Sequence, residues 1–278
     1  MSTLIRIAHS PDADDAFMHF AVVHGKVGTE GLRFAETLAD IETLNQKAKE
    51  GLYEVTAVSL HAFAYLDGRY ALLNSGASLG DGYGPVVLAR RPMTRDDLAG
   101  VTVATPGALT SARLALQLWQ PAARCVDVPF DEVMDVVRRG DADAGVVIHE
   151  GQLFFADEGF AKVADLGEWW TGETGTPLPL GGNAIRRDLG EPLMRQVAGV
   201  LEASIRYALE HREEALSHAL AFGRGLDHAQ GDRFVGMYVN EATLDYGERG
   251  RQGVKLFYRR AHEAGLIPSV PRPDFVRG

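Results

Sequence analysis

The sequence predicts an α/β protein whose two lobes face each other across a ligand cleft, and three observations carry that expectation. Short β-branched runs alternate with turn signals and helical patterns, as parallel-sheet architecture requires. A short amphipathic helix with a glycine cap, followed by a strand, occurs twice, at residues 42–51 and 131–140. The strands that follow deliver Ser59 and His149 at their carboxyl ends, the edge at which open α/β sheets bind ligands.

Residues 4–8 read as a strand, and Ser10-Pro11-Asp12 turns it into a helix from about Asp14, where Phe17, Phe20, Ala21 and His24 recur at helical spacing. A second strand, 55–58, leads through Ser59 into an apolar helical turn around Phe63 and Leu66. The glycine-rich segment 75–85 runs into Pro85 and a strand-like stretch at 86–90 instead of opening a helix. It is therefore expected to be a crossover or hinge and not a dinucleotide fingerprint.

Strand 101–104 leads through Thr105-Pro106-Gly107 into a helix over Ser111–Trp119, with Leu114, Ala115 and Leu118 on one face. Strand 144–148 ends at His149-Glu150-Gly151. Residues 177–182 form a second crossover candidate, and 191–222 read as mostly helical. Two more helical stretches from Asp232 precede a proline-rich tail at 268–273. One lobe is expected from both chain ends, 1–88 with 189–278, and the other from the insertion 89–188.

At 278 residues the chain is long enough for a substantial core, and its composition is that of an ordinary globular protein. Acidic residues number 38 against 28 Lys and Arg, a net charge of -10. The resulting field repels polyanions, so no nucleic-acid or membrane partner is expected, although helix N-termini still suit a small carboxylate. Cys125 is the only cysteine and has no disulfide partner in the chain. Arg6 and His9 interrupt any leader-like apolar run, and no stretch approaches the ~20 apolar residues of a membrane span, so a cytoplasmic location is expected.

His149 is the sharpest candidate for chemistry, since imidazole titrates near neutrality and a strand end meets the cleft. The same position suits a hydrogen-bonded structural histidine. The following Glu150-Gly151-Gln152-Leu153 lacks the second histidine of a zincin helix. Thr110 and Ser111 stand at a helix start, where a hydroxyl either caps the helix or joins free N–H groups around a carboxylate; Ser59 poses the same choice. Asp12, Asp14 and Asp15 suit a hard cation or simply the first turn of a helix, and no metal is expected. Trp169-Trp170 is expected to pack. His9, His19, His24 and His61 show no metal-ligand spacing, and no nucleophile elbow occurs.

Several segments together resemble one family. They are Ile148-His149-Glu150-Gly151-Gln152, Pro177-Leu178-Pro179-Leu180-Gly181, Gly80-Asp81-Gly82-Tyr83-Gly84-Pro85, Pro106 to Ala112, and Tyr238-Val239-Asn240-Glu241. In order and spacing, over nearly the whole chain, they are similar to 1,4-dihydroxy-6-naphthoate synthases of the futalosine route to menaquinone, relatives of periplasmic solute-binding proteins. The resemblance implies a type 2 periplasmic-binding-protein-like fold and a cofactor-free lyase. That lyase acts on a small-molecule carboxylate, cyclic dehypoxanthine futalosine, and releases the naphthoate and a three-carbon fragment.

The resemblance also implies that His149 is the general base and that Ala57, Val58, Ser59, Thr110 and Ser111 contact substrate. One departure stands out: Asp12, Ala13 and Asp14 follow Pro11 where many members carry cysteine, proline and asparagine. The alternatives are chorismate dehydratase of the same pathway and a non-catalytic small-anion binding protein.

Overall fold

The computed structural model describes residues 2–223 and 225–278. The chain begins with β1 (Leu4–His9), α1 (Ala13–Val23), β2 (Arg33–Leu38), α2 (Ile41–Glu50), β3 (Val55–Ser59), the single turn α3 (Leu60–Phe63), β4 (Tyr70–Leu73) and β5 (Ser78–Gly80). It continues with β6 (Val86–Ala89), β7 (Thr102–Thr105), α4 (Ser111–Trp119), β8 (Arg124–Asp127), α5 (Val133–Arg139), β9 (Ala144–Val147), β10 (Ala161–Asp165), α6 (Leu166–Thr174) and β11 (Leu178–Arg186). The last part is α7 (Glu191–Glu210), α8 (Arg212–Ala219), α9 (His228–Tyr238), α10 (Glu241–Leu244), α11 (Gly247–Glu263) and β12 (Phe275–Val276).

These strands form two sheets. One has seven strands in the order β12-β4-β11-β3-β1-β2, with β5 also on β11; the other has five, β10-β6-β9-β7-β8. The sheets share one plan. Parallel strands β2-β1-β3 correspond to β8-β7-β9. Each set is continued by one antiparallel strand, β11 or β6, and then by a strand antiparallel to that one, β4 or β10. The antiparallel member of each sheet is the strand that follows a crossing from the other.

The local reasons for the helices are visible. Asp40 caps α2 by accepting from Thr43 N–H, and Gly51 ends it in the left-handed region. Gly140 ends α5 in the same way at φ 83°, so the repeated helix–glycine–strand unit is present in both lobes. Strands β3, β4, β6 and β9 are buried along their whole length, as expected of strands covered on both faces. One continuous apolar cluster takes Val58 and Leu72 from the first sheet, Val103 and Val146 from the second, and Leu114, Trp170 and Phe257 from helices. The lobes are thus in contact through packed side chains as well as through the crossings.

Two segments differ from the sequence expectation. Residues 178–182, expected to cross between lobes, lie within β11; Pro179, which has no N–H, sits at a register shift against β5 between Pro179 and Gly181. The tail beyond the prolines adds β12 parallel to β4. Drawn along the sheets, the lobes we propose change over between β5 and β6 and again between α6 and β11, so that residues 178–188 join the lobe of the chain ends. No described helix is long and apolar enough to cross a membrane.

The first crossing touches the start of α6. A Cβ built on Gly167 would lie 1.8 Å from Tyr83 O, one on Gly84 would lie 2.8 Å from Gly167 N, and Leu166 N–H donates to Pro85 O at 2.9 Å. Backbone lies against backbone there, and no rotamer change relieves an added methyl. Gly167→Ala is expected to destabilise the protein by about 3 kcal/mol or more. Gly172→Ala, in the same helix with nothing within 4 Å, is expected to be neutral or stabilising by up to about 1 kcal/mol. Chemical denaturation of the two variants checks the contrast.

Candidate active site

A cavity of about 120 Å³ lies between the sheets, and Ser10, Asp14, Ser59, Ser111, Gln152 and Asn183 are among the residues lining it. Ala57, Val58 and Thr110 also line it. All five residues singled out for substrate contact therefore meet at one surface.

Their hydroxyls are occupied in different ways. Ser59 is buried at the end of β3, and its side chain does not cap α3. Instead Asn45, fully buried on α2, donates from Nδ2 to Ser59 Oγ at 3.1 Å and accepts Ser59 N–H at 2.9 Å. The serine's own proton remains available to a ligand. Thr110 Oγ1 donates to Gly107 O at 2.9 Å and accepts Arg113 N–H at 3.3 Å, so its side chain is a cap. Ser111 Oγ donates to Leu180 O and accepts His61 N–H at 3.2 Å. What α4 offers the cavity is its first turn, where Ser111 and Ala112 N–H groups have no intrahelical acceptor.

The same contacts latch the lobes together. His61 Nδ1 donates to Thr110 O at 3.2 Å, and Leu109 N–H donates to Glu42 Oε2 at 2.9 Å. Burial, with Arg113 nearby, lowers the His61 pKa to about 4, so its ring stays neutral at physiological pH.

His149 follows β9 and is 8% exposed. Gly151 N–H donates to its Nδ1 at 3.0 Å, so the neutral ring carries its proton on Nε2. Glu150 Oε2 lies 3.9 Å from Nδ1, and Phe130 packs edge-on at 5.9 Å. Gly151 is required because a Cβ there would lie 2.7 Å from His149 Cε1 and 2.8 Å from Met134 Sδ. Ile148 and Gln152 form the cavity wall on either side, whereas the imidazole does not line it.

The loop after β1 and the first turn of α1 supply carboxyl groups. Ser10 binds two of them, N–H to Asp15 Oδ2 and Oγ–H to Asp12 Oδ2, both at 2.9 Å. Burial, then the charges of Asp15, Asp12 and Glu150, hold the Asp14 carboxyl well above the usual aspartate range. Among the described residues no group of three His, Cys, Asp or Glu is placed to hold a metal ion.

Beneath this loop His9 and His19 stack at 4.2 Å. His9 presents Nδ1 to Ser10 O and Nε2 to Glu36 Oε1, both at 2.9 Å. Both nitrogens face acceptors, which defines an imidazolium; burial opposes that charge, but Glu36, Asp15 and the carbonyl raise the pKa regardless. Burial and the charge of His9 lower that of His19 to about 3. Trp170 packs against Phe257 at 5.5 Å, and neither tryptophan of the 169–170 pair lines the cavity.

Sequence reasoning missed Asn45 and Asn183. Asn183 is 2% exposed and lines the cavity; Gly76, at φ 83°, leaves room for its amide, since a Cβ there would lie 2.2 Å from Nδ2. Neither asparagine stands in a local motif, because sheet pairing alone sets Asn183 beside Ala57.

A two-lobed α/β binding fold with a central cleft is the class this architecture defines, and solved structures agree. The alkanesulfonate-binding protein of Xanthomonas axonopodis pv. citri superposes with a TM-score of 0.74 at 13% identity, covering 99% of each chain. A Candida albicans protein described as having the generic periplasmic binding protein fold gives 0.62 at 13% identity, covering 99% of each chain. The fold is thus of the periplasmic-binding-protein type. Much nearer is a crystallised protein of Archaeoglobus fulgidus, with a TM-score of 0.91 and 45% identity over 95% of this chain and 98% of that one.

A family model described as menaquinone biosynthesis matches residues 5–263. Two curated relatives are both called 1,4-dihydroxy-6-naphtoate synthase. That of Thermus thermophilus is 40% identical over 98% of this chain and 99% of its own length. That of Streptomyces coelicolor is 38% identical over 96% and 95%. The chain belongs to this menaquinone-biosynthesis family, whose named relatives are enzymes.

Asp14 gives a prediction with a definite sign. Its folded pKa lies above the unfolded value, so its contribution is intact at low pH and is lost as pH rises through the folded pKa. Asp14→Asn removes that loss. The variant is expected to melt a few degrees above wild type at pH 8, with the difference shrinking toward pH 4, in a pH series of thermal melts.

Proposed function

We propose that this chain is a carbon–carbon lyase that converts cyclic dehypoxanthine futalosine into 1,4-dihydroxy-6-naphthoate in menaquinone biosynthesis. The observation that carries the reading is the 40% identity to the Thermus synthase over nearly all of both chains. The cleft supports it, since the residues expected to contact substrate converge on one cavity. The family's biosynthetic role also supports a cytoplasmic location.

In this reading the ring carboxylate of the substrate sits at the first turn of α4, against Ser111 and Ala112 N–H and the Ser59 hydroxyl. Thr110 acts through its cap, which fixes that turn. Lobe closure excludes water. His149 is the base, and it accepts the proton at Nδ1 once substrate draws the ring away from Gly151 N–H. Glu150, 3.9 Å from that nitrogen, then stabilises the imidazolium. The electron pair left by the proton drives rupture of the carbon–carbon bond, and the ring product gains aromaticity.

Purified protein without added metal or nicotinamide is expected to form 1,4-dihydroxy-6-naphthoate from the futalosine derivative. His149→Ala is expected to slow turnover by roughly 10² to 10⁴ while keeping substrate binding and a near wild-type melting temperature. Consumption of chorismate instead would identify the dehydratase, and tight binding without product would identify a binding protein. A His149→Ala variant that melts early but turns over normally would make the histidine structural.

A further inference from the structure

Gln152 and Tyr238 form a pair that the mechanism above does not use. Tyr238, at the end of α9, is 5% exposed, and its hydroxyl donates to Gln152 Oε1 at 2.9 Å. Gln152 is 8% exposed; its Nε2 is buried and has no hydrogen-bond partner among the described residues. Both side chains line the cavity. The opposite amide orientation would leave the Tyr238 proton without an acceptor, so the tyrosine fixes which end of the amide is free.

Tyr238 is itself held firmly. Phe234 packs at 5.2 Å and Tyr83 at 5.7 Å, both edge-on, and Tyr83 donates to Met237 O. Burial pushes the Tyr238 phenol far above its ordinary pKa, so it remains a donor at every working pH. A buried N–H without an acceptor is costly, and a ligand oxygen placed there removes the cost. The charge of the ligand group is constrained as well. Asp12, Asp14 and Asp15 line the same cavity, and the field of Asp14 reaches Tyr238. A carboxylate at Gln152 would face that acidic wall; a carbonyl or hydroxyl oxygen would not.

We propose that Gln152, oriented by Tyr238, is the specificity residue that donates to the uncharged, oxygen-bearing end of the substrate, opposite the end whose carboxylate meets α4. The assignment rests on the synthase reading, in which that uncharged part leaves as the three-carbon fragment. The free amide donor thus fixes which way round the substrate lies between the lobes.

The test separates the two ends by comparing substrate with the naphthoate product, which lacks the fragment. Gln152→Met is expected to raise KM for the futalosine derivative about 10- to 100-fold. The same variant should leave the inhibition constant of 1,4-dihydroxy-6-naphthoate within about twofold. Tyr238→Phe, which only releases the amide orientation, should shift KM in the same direction by less. The double variant Gln152→Met/Tyr238→Phe removes both polar partners, so its ligand-free melting temperature is expected at or above that of wild type, while its substrate KM stays raised.

Equal weakening of substrate and product by Gln152→Met, or no change in either, overturns the assignment while leaving an active wild type as evidence for the synthase reading. A wild type that does not convert the compound overturns both. A double variant that melts well below wild type would show that the pair serves the fold.

Discussion

The cleft depends on a backbone contact made where the chain changes lobes. Gly84 and Gly167 lie against each other with no room for a side chain on either; Gly84 ends the first crossing just before β6, and Gly167 stands in the first turn of α6, the helix that leads into the second. Because β6 and β11 run antiparallel to the strands they join, each crossing is short and rigidly anchored at both ends. The carboxyl ends of β3 and β9 then face one another. Ser59 and the turn at His149 owe their places to that arrangement and not to any direct contact between them.

Around this frame the cleft is electrically divided. One wall carries the first turn of α4 with its free N–H groups; the other carries the carboxyl groups of the loop after β1 and the first turn of α1. His9 is the counter-charge beneath that loop, and its two bonds tie the Ser10 carbonyl to Glu36 of β2. A chain with net charge -10 can still receive an anion, because the local dipole of a helix end acts within its first turn.

Much of this was legible in the sequence where the signal is local. The bounds of α4 follow from Pro106-Gly107, the Thr110 cap and the apolar face, and the glycine caps of α2 and α5 mark their ends. The antiparallel role of 178–186 was not legible, because Pro-Leu-Pro-Leu-Gly-Gly carries turn residues and the pairing that makes it a strand comes from residues more than a hundred positions away. The short strands β4, β5 and β12 likewise exist through their partners. At the site, the singled-out substrate-contact residues converge on one cavity, yet the hydroxyl bonds of Thr110 and Ser111 and the tautomer of His149 are set by neighbours that no spacing rule reveals. Asn45 and Asn183 carry no motif and become visible only when the sheets are assembled.

The strand inventory of the two sheets also bears on how the chain is made. The five-stranded sheet is complete within residues 86–165, whereas the seven-stranded one takes strands from β1, near residue 4, through β11 at 178–186 and closes with β12 at 275–276. During synthesis the inserted half can therefore pair all its strands while β3, β4 and β5 still lack β11, which has not left the ribosome. Translation runs in one direction, but this protein finishes its middle first, and β3, β4 and β5 wait for β11, the strand that pairs with all three.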